Sequence, residues 1–289
     1  MEHKVEQVAK KELAINPEIL QRLKDRFGSG VFSFADLVDF SNYDPEIGYY
    51  SGKKAEIKLF GAGDHPILYP DIPDKAAYEA LLLKLHKENP EAYKTPVEIH
   101  SPYYAIGVAR HMETLFELGG VEPKIYEVGA GRGTLVKDIL DYLKKYSPAL
   151  YEKVHYGIIE ASPKLAEIQR RRLMGHAGKI EWVSGDARRL PFRDQSIDGI
   201  LVNTELLDNL PTVCIKRKHV TPGKKVSIDD FVQIGYQVVD DKLVEKELPL
   251  TDEIRNYVRE RSSLLEPEET YANTPTLNIP LGQKGYIGL

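Results

Sequence analysis

The sequence contains a single cysteine, Cys214, among its 289 residues. One cysteine excludes both an intramolecular disulfide and a zinc site built from cysteines. The eight histidines lack a metal-binding spacing such as His-Glu-x-x-His, so we expect no metal. No apolar run approaches the ~20 residues that span a bilayer, and we therefore expect no membrane span.

An excess of charge of one sign is also missing. The net charge is −5 and the pI is about 6.0, so the overall balance does not call for a nucleic-acid partner. The first twenty residues mix acidic and basic side chains and match neither a signal peptide nor a transit peptide. Together with the low cysteine content, this predicts a cytoplasmic protein, or a mitochondrial-matrix protein if the source is eukaryotic. The oligomeric state is left open.

What the sequence does have is a glycine-rich turn directly after a short apolar run. The glycines are Gly129, Gly131 and Gly133, and Thr134 stands where a dinucleotide fingerprint needs its last glycine. The spacing therefore argues against NAD. Glycine leaves room for a ligand against the main chain, and we interpret the loop as a site for S-adenosylmethionine. Glu127, just before the turn, could accept a hydrogen bond from the amino group of that ligand.

Strands and helices alternate on either side of this loop. The predicted strands are 125–128, 155–160, 180–183 and 197–203, and the helices between them are 133–146 and 163–173. Such alternation implies a parallel sheet wound on both faces. We therefore predict an α/β fold with a cofactor-binding core at 121–213, preceded by a helical and irregular lead-in or lid at 1–120. For the third part, 214–289, the prediction is an antiparallel hairpin of 231–239 and 242–248 and a helix at 251–265.

Polar residues stand where the predicted strands end. Open parallel sheets bind ligands beyond the carboxyl ends of their strands. Glu160 could accept both ribose hydroxyls, and Asp186, followed by Ala187, could accept from the adenine amino group. Asn203 ends the fourth strand, where the methyl group would face its acceptor. In the alternative interpretation, Asp186 caps a turn and Glu160 is a solvated residue at a helix start.

These residues resemble the class I S-adenosylmethionine-dependent methyltransferases. More narrowly, they resemble the family of the mitochondrial complex I assembly factor with protein-arginine methyltransferase activity and its bacterial relatives. Residues 43–51 resemble the His-Pro-x-x-Gly-Tyr-Tyr motif of that family, and residues 127–135 resemble its Glu-x-Gly-x-Gly-Arg-Gly-Thr-Leu loop. Residues 160–163 resemble its Glu-x-Ser-Pro segment, and residues 205–211 resemble its Glu-Phe-Phe-Asp-Ala-Leu-Pro segment. The resemblance implies a Rossmann-like sheet, an S-adenosylmethionine cofactor and an arginine substrate.

Two departures from this family affect what can be transferred. Thr204 stands where the family has Asn before the Glu of its last motif. After residue 203 we find only the hairpin and no clear late strands of a class I sheet, so we hypothesise that the fold is abbreviated or truncated. Three functions stay open: a protein-arginine methyltransferase, a small-molecule methyltransferase, and a non-catalytic assembly factor that keeps the fold.

If the acceptor is arginine, a carboxylate pair could hold its guanidinium as the nitrogen attacks. Glu205 and Asp208 are the candidates, because a spacing of three puts two side chains on one face of a helical turn. The alternative is that one of them caps a helix and the other is solvated. Tyrosines could line the acceptor pocket or serve as half-buried packing; they are Tyr43, Tyr49, Tyr50, Tyr103 and Tyr104.

Overall fold

The computed structural model describes residues 15–52, 69–88, 95–188, 197–217, 227–261 and 276–280. The helices are α1 Pro17–Phe27, α2 Phe34–Tyr43, α3 Lys75–Glu88, α4 Pro96–Ile99, α5 Tyr103–Glu117, α6 Thr134–Tyr146, α7 Pro148–Lys153, α8 Pro163–Arg172 and α9 Asp252–Arg261. The strands are β1 Phe32–Ser33, β2 Lys124–Val128, β3 His155–Glu160, β4 Ile180–Ser184, β5 Ile200–Val202, β6 Thr212–Arg217, β7 Phe231–Val239, β8 Lys242–Leu248 and β9 Thr276–Pro280.

The chain divides into two compact units. One comprises residues 1–41 and 211–281, and the other comprises residues 42–210 and 282–289. The second unit contains a parallel sheet with the strand order β4-β3-β2-β5. Since all its strands run the same way, their carboxyl ends meet at one edge, where the residues after β2 and β5 lie beside the ends of β3 and β4.

The core of this second unit follows from the amphipathic pattern of α6. The buried face of this helix consists of Leu135, Val136, Ile139, Leu140 and Leu143, each at most 1% exposed. These side chains share one hydrophobic cluster with residues of β2 and β3. The spacing is that of a helix with one apolar stripe, which explains why the sequence predicted this helix to within one residue. This packing fixes the first turn of α6 just after the end of β2.

The other unit contains an antiparallel sheet. Strands β7 and β8 form the predicted hairpin, with Asp240 and Asp241 in the left-handed region at φ +47° and +61°. Two consecutive residues of this kind match a tight hairpin turn that follows the twist of the strands. Strand β7 also pairs with β1 and with β6, and β6 pairs with β9.

The expectation that the chain after residue 203 holds only this hairpin was wrong. Strands β6 and β9 are present, but they add to the antiparallel sheet. Their pairing joins segments far apart in sequence, which leaves no local turn signal to predict it. Within the described residues the parallel sheet has four strands. The three-part division at 1–120, 121–213 and 214–289 stays a prediction.

Other boundaries differ from the prediction by small amounts. The fourth parallel strand was predicted at 197–203 but spans Ile200–Val202, after Gly199 with φ +148°. Helix α9 spans Asp252–Arg261, and residues 262–265 of the predicted helix lie outside the described residues, as do 1–14, 53–68 and 282–289. In the part of the chain that the structure describes, no helix is long and apolar enough to cross a membrane.

Candidate functional site

A cavity lies at the carboxyl edge of the parallel sheet. Its wall is formed by the glycine loop, the ends of β3 and β4, the segment after β5, and side chains from residues 43–51 and 95. The predicted site residues on this wall are Gly129, Gly131, Glu160, Asp186, Ala187 and Glu205. The structure therefore brings together the strand ends on which the sequence interpretation depended.

The three loop glycines all have left-handed backbone angles, with φ of +71°, +53° and +78° at Gly129, Gly131 and Gly133. Their surroundings differ. A Cβ on Gly131 would meet nothing within 4 Å, whereas a Cβ on Gly133 would come within 3.2 Å of the Leu173 side chain. Gly131 therefore leaves room at the cavity wall, and Gly133 allows the start of α6 to pack closely against the end of α8.

Glu160 is a buried carboxylate on the cavity wall, with 8% of the residue exposed. Its Oε1 accepts from the main-chain N–H of Ser162, and its Oε2 accepts from Nε2 of Gln169, both at 2.9 Å. Burial raises the pKa of this carboxyl, against the lowering effect of those hydrogen bonds. The two oxygens of a carboxylate together offer about four acceptor positions, so the group can also accept from a diol such as that of a ribose.

Asp186 lies on the wall, where it is paired with Arg188. Oδ1 of Asp186 accepts from the main-chain N–H of Arg188 at 2.8 Å, and the guanidinium donates to both carboxylate oxygens. The same guanidinium lies 5.0 Å from the ring centroid of Tyr43. The turn-capping interpretation of Asp186 therefore describes a contact that is present, and the predicted adenine contact stays a prediction.

Glu127 is not on the cavity wall; it is 1% exposed beneath the glycine loop. Its Oε2 accepts from the hydroxyl of Tyr156 at 2.6 Å. Burial raises the pKa of Glu127 to about 7, the hydrogen bond from Tyr156 lowers it, and the negative charge of Glu160 raises it further. In this structure the Glu127 carboxyl is a buried group that joins β2 to Tyr156 on β3, and its contact with a ligand amino group stays a prediction.

Gly133, Thr134 and Asn203 were also predicted as site residues and do not line the cavity. Thr134 begins α6 and is 1% exposed, and its hydroxyl donates to the carboxylate of Glu98 on α4. Asn203 is exposed, while the next residue, Thr204, is on the wall. The residue that lines the cavity is therefore one position later in the sequence than the predicted residue.

Glu205 and Asp208 do not share a helical face, contrary to the prediction. Glu205 has φ +51°, a left-handed conformation, and the short 3₁₀ helix begins only at Leu207. Glu205 is an exposed residue on the cavity wall, whereas Asp208 is exposed but not part of that wall. The spacing argument failed because it assumed helical backbone angles at both residues.

Tyr43 and Tyr50 are on the cavity wall, which was one of the two alternatives for the tyrosines. Their rings are stacked, with 6.0 Å between the centroids. The hydroxyl of Tyr43 donates to the main-chain carbonyl of Asn209 at 3.1 Å. Tyr49 packs edge-on against Tyr50, and Tyr103 against Tyr69. Sequence reasoning missed Asn209, Leu206 and Leu210, which line the same side. Only their closeness to Glu205 in the sequence could have indicated them.

The site fits a nucleoside with an amino-acid tail better than a metal ion. Glycines without Cβ atoms give access to the main chain, Glu160 provides an acceptor for a diol, and the start of α6 has no side-chain cap among its described contacts. Helix starts suit carboxylates. Among the described residues, no group of three or more His, Cys, Asp or Glu side chains is placed to hold a metal.

The chain is similar to several known proteins. The model of a family described as "Putative S-adenosyl-L-methionine-dependent methyltransferase" matches residues 108–280. A 59-residue stretch is 41% identical to the 2-phytyl-1,4-naphtoquinone methyltransferase of Synechocystis, covering 19% of this chain and 25% of that protein. A Burkholderia thailandensis protein crystallised with S-adenosyl-homocysteine is similar at a TM-score of 0.58 and 21% identity, covering 86% of this chain and 56% of that one. The last likeness confirms the predicted Rossmann-like α/β fold.

Proposed function

Because the chain belongs to a family of S-adenosyl-L-methionine-dependent methyltransferases, we propose that it binds this cofactor in the cavity and transfers the methyl group to a protein arginine. When bound, the cofactor supplies an electrophilic methyl group on a positively charged sulfur. The glycine loop would lie along it, Glu160 would accept from its ribose hydroxyls, and the start of α6 would face its carboxylate.

The observation that carries the arginine proposal is the position of Glu205 on the same cavity wall as the stacked rings of Tyr43 and Tyr50. A guanidinium binds well to a carboxylate and to aromatic faces. Glu205 would hold the side chain so that one nitrogen faces the methyl group, and alignment of this kind is the main requirement of a displacement reaction. As the sulfur–methyl bond breaks and S-adenosyl-homocysteine leaves, the nitrogen would gain the methyl group and give up one proton, which the carboxylate could accept or pass to water.

A small-molecule acceptor is the second candidate. Its support is the 59-residue stretch similar to a naphthoquinone methyltransferase, together with the apolar side chains of Leu206 and Leu210 on the wall. A neutral aromatic acceptor would use these residues and the tyrosine rings and would not need Glu205. The charge of Glu205 therefore discriminates between the two candidates.

The test is transfer of a radiolabelled methyl group from S-adenosylmethionine into a protein mixture, followed by acid hydrolysis and analysis for methylarginine. We expect Glu205→Gln to lower the rate by about 100-fold or more, a size typical of general-base and charge-positioning residues. The matched control is Asp208→Asn, the same change on a nearby exposed residue that does not line the cavity, which should keep activity within about threefold.

Label in methylarginine that depends on Glu205 supports the proposal. Label in the soluble small-molecule fraction, unchanged in Glu205→Gln, would instead support the second candidate. Cofactor binding without any transfer would contradict both and favour a protein that keeps the fold without the reaction.

A further inference from the structure

Gln169 is a polar residue at a position where packing alone would favour an apolar one. It lies on the buried face of α8 beside Leu165 and Ala166, and it is 0% exposed. Among the described residues, its Oε1 has no hydrogen-bond partner. A buried amide oxygen without a partner costs free energy, so packing of this core does not account for a glutamine here.

The amide nitrogen of Gln169 joins two parts of the cavity wall. Its Nε2 donates to the main-chain carbonyl of Gly131 at 2.9 Å and to Oε2 of Glu160 at 2.9 Å. Gly131 belongs to the loop after β2, and Glu160 is the last residue of β3. Both acceptors line the cavity. One side chain therefore fixes the distance between the glycine loop and the carboxylate.

The orientation of Glu160 depends on this contact. Its Oε1 is held by the main-chain N–H of Ser162, which follows it closely in the chain. Its Oε2 has Gln169 as the described side-chain donor. A carboxylate held through both oxygens has a fixed plane, and the second lone pair of each oxygen then has a fixed direction. Without Gln169, Glu160 would keep only main-chain donors among the described residues, from Ala161 and Ser162, and Oε2 would lose its described side-chain donor.

We propose that Gln169 is a positioning residue that orients Glu160 for the ribose hydroxyls of the cofactor. The proposal rests on the proposed function, because it requires a ribose-containing cofactor in this cavity. It predicts a loss confined to recognition of the ribose. A purely structural role for Gln169 would instead lower the stability of the protein, or weaken all ligands by the same factor.

The test is calorimetric titration of the full chain with two probes, S-adenosyl-homocysteine and its 2′-deoxyribose analogue. For the unchanged protein we expect the ribose form to bind about 10- to 100-fold more tightly, the range for hydrogen bonds to a charged acceptor. In Gln169→Met this ratio should fall to below about threefold, while the Kd of the deoxy analogue changes by less than about threefold. Thermal unfolding of each variant verifies that it is folded.

A double-mutant cycle shows whether Gln169 acts through Glu160. If it does, Gln169→Met has no further effect on the ratio in a Glu160→Gln background. Gln233→Met is the matched control, because Gln233 is also buried, at 7% exposed, but lies on β7 in the other compact unit; the ratio should stay unchanged. Gln169→Leu, which also cannot donate a hydrogen bond, replaces the methionine variant if that one does not fold, and should also lose the ratio.

The outcomes separate this proposal from the proposed function. If the unchanged protein binds neither probe, the proposed function is contradicted and the proposal with it. If the unchanged protein binds the probes and discriminates between them, but Gln169→Met and Gln169→Leu keep the full ratio, the positioning role alone is overturned. If the ratio is lost additively in the Glu160→Gln background, Gln169 does not act through Glu160.

Discussion

At the scale of single residues, the buried carboxyl of Glu127 links the site to the stability of the fold. Burial raises its pKa from 4.5 to about 7, so the folded chain binds this proton more tightly than the unfolded chain does. A raised pKa means that the stabilising contribution is complete below about pH 4.5 and is lost as the pH rises through about 7. Glu127 therefore favours folding at mildly acidic pH.

We expect Glu127→Gln to remove part of this pH dependence. A change of one in pKa corresponds to about 1.4 kcal/mol, so the unchanged protein should lose up to about 3 kcal/mol more between pH 5 and pH 8 than the variant does. Glutamine keeps an acceptor for the hydroxyl of Tyr156. The measurement is urea unfolding across this pH range. Parallel profiles for the two proteins would show that the Glu127 carboxyl does not titrate in this range.

At the scale of elements, the glycine loop has two kinds of glycine. Gly131 needs its left-handed backbone angle but has open space around the position of a Cβ, whereas Gly133 has both a left-handed angle and the Leu173 side chain 3.2 Å away. Alanine at either position incurs the backbone penalty, about 1–2 kcal/mol. Only at Gly133 does it also push against the packing of α8.

We therefore expect Gly131→Ala to lower the free energy of unfolding by about 1–2 kcal/mol and Gly133→Ala to lower it further, as measured by urea unfolding. Gly175→Ala is the control, because Gly175 has no left-handed angle and nothing within 4 Å of a Cβ; we expect a change of less than about 0.5 kcal/mol there. An equal loss in both loop variants would contradict the packing role of Gly133.

At the scale of the whole molecule, the described cavity wall belongs to one of the two compact units, residues 42–210 and 282–289. A ligand that binds only the folded form stabilises what it contacts, by RT ln(1 + [L]/Kd). The hairpin Phe231–Leu248 belongs to the other unit, so its opening can remain independent of the ligand.

We expect saturating S-adenosyl-homocysteine to slow amide hydrogen exchange at residues 129–133, 160–162 and 185–187 by at least tenfold, and to leave β7 and β8 within about threefold. Exchange followed by mass spectrometry, with adenosine diphosphate as the control ligand, measures this. Equal protection of the hairpin would contradict independent opening, and protection confined to the hairpin would place the ligand outside the proposed cavity.

The sequence by itself determined the local helices and strands, the glycine loop and the residues at the strand ends of the site. Apolar periodicity predicted β2, β3, α6, α8 and the hairpin, because burial of one face is encoded in neighbouring residues. The loop glycines could be predicted because left-handed angles are nearly restricted to glycine, and the positions of Glu160 and Asp186 follow from where strands end.

Only the tertiary structure decided which side chains meet. The two contacts of Gln169 depend on packing between distant segments, and the different positions of Glu205 and Asp208 depend on a left-handed backbone angle at Glu205. The strands β6 and β9 also depend on such packing, because their partners are far along the chain. Local patterns carry no record of such contacts, because their energies arise only when the elements have packed together.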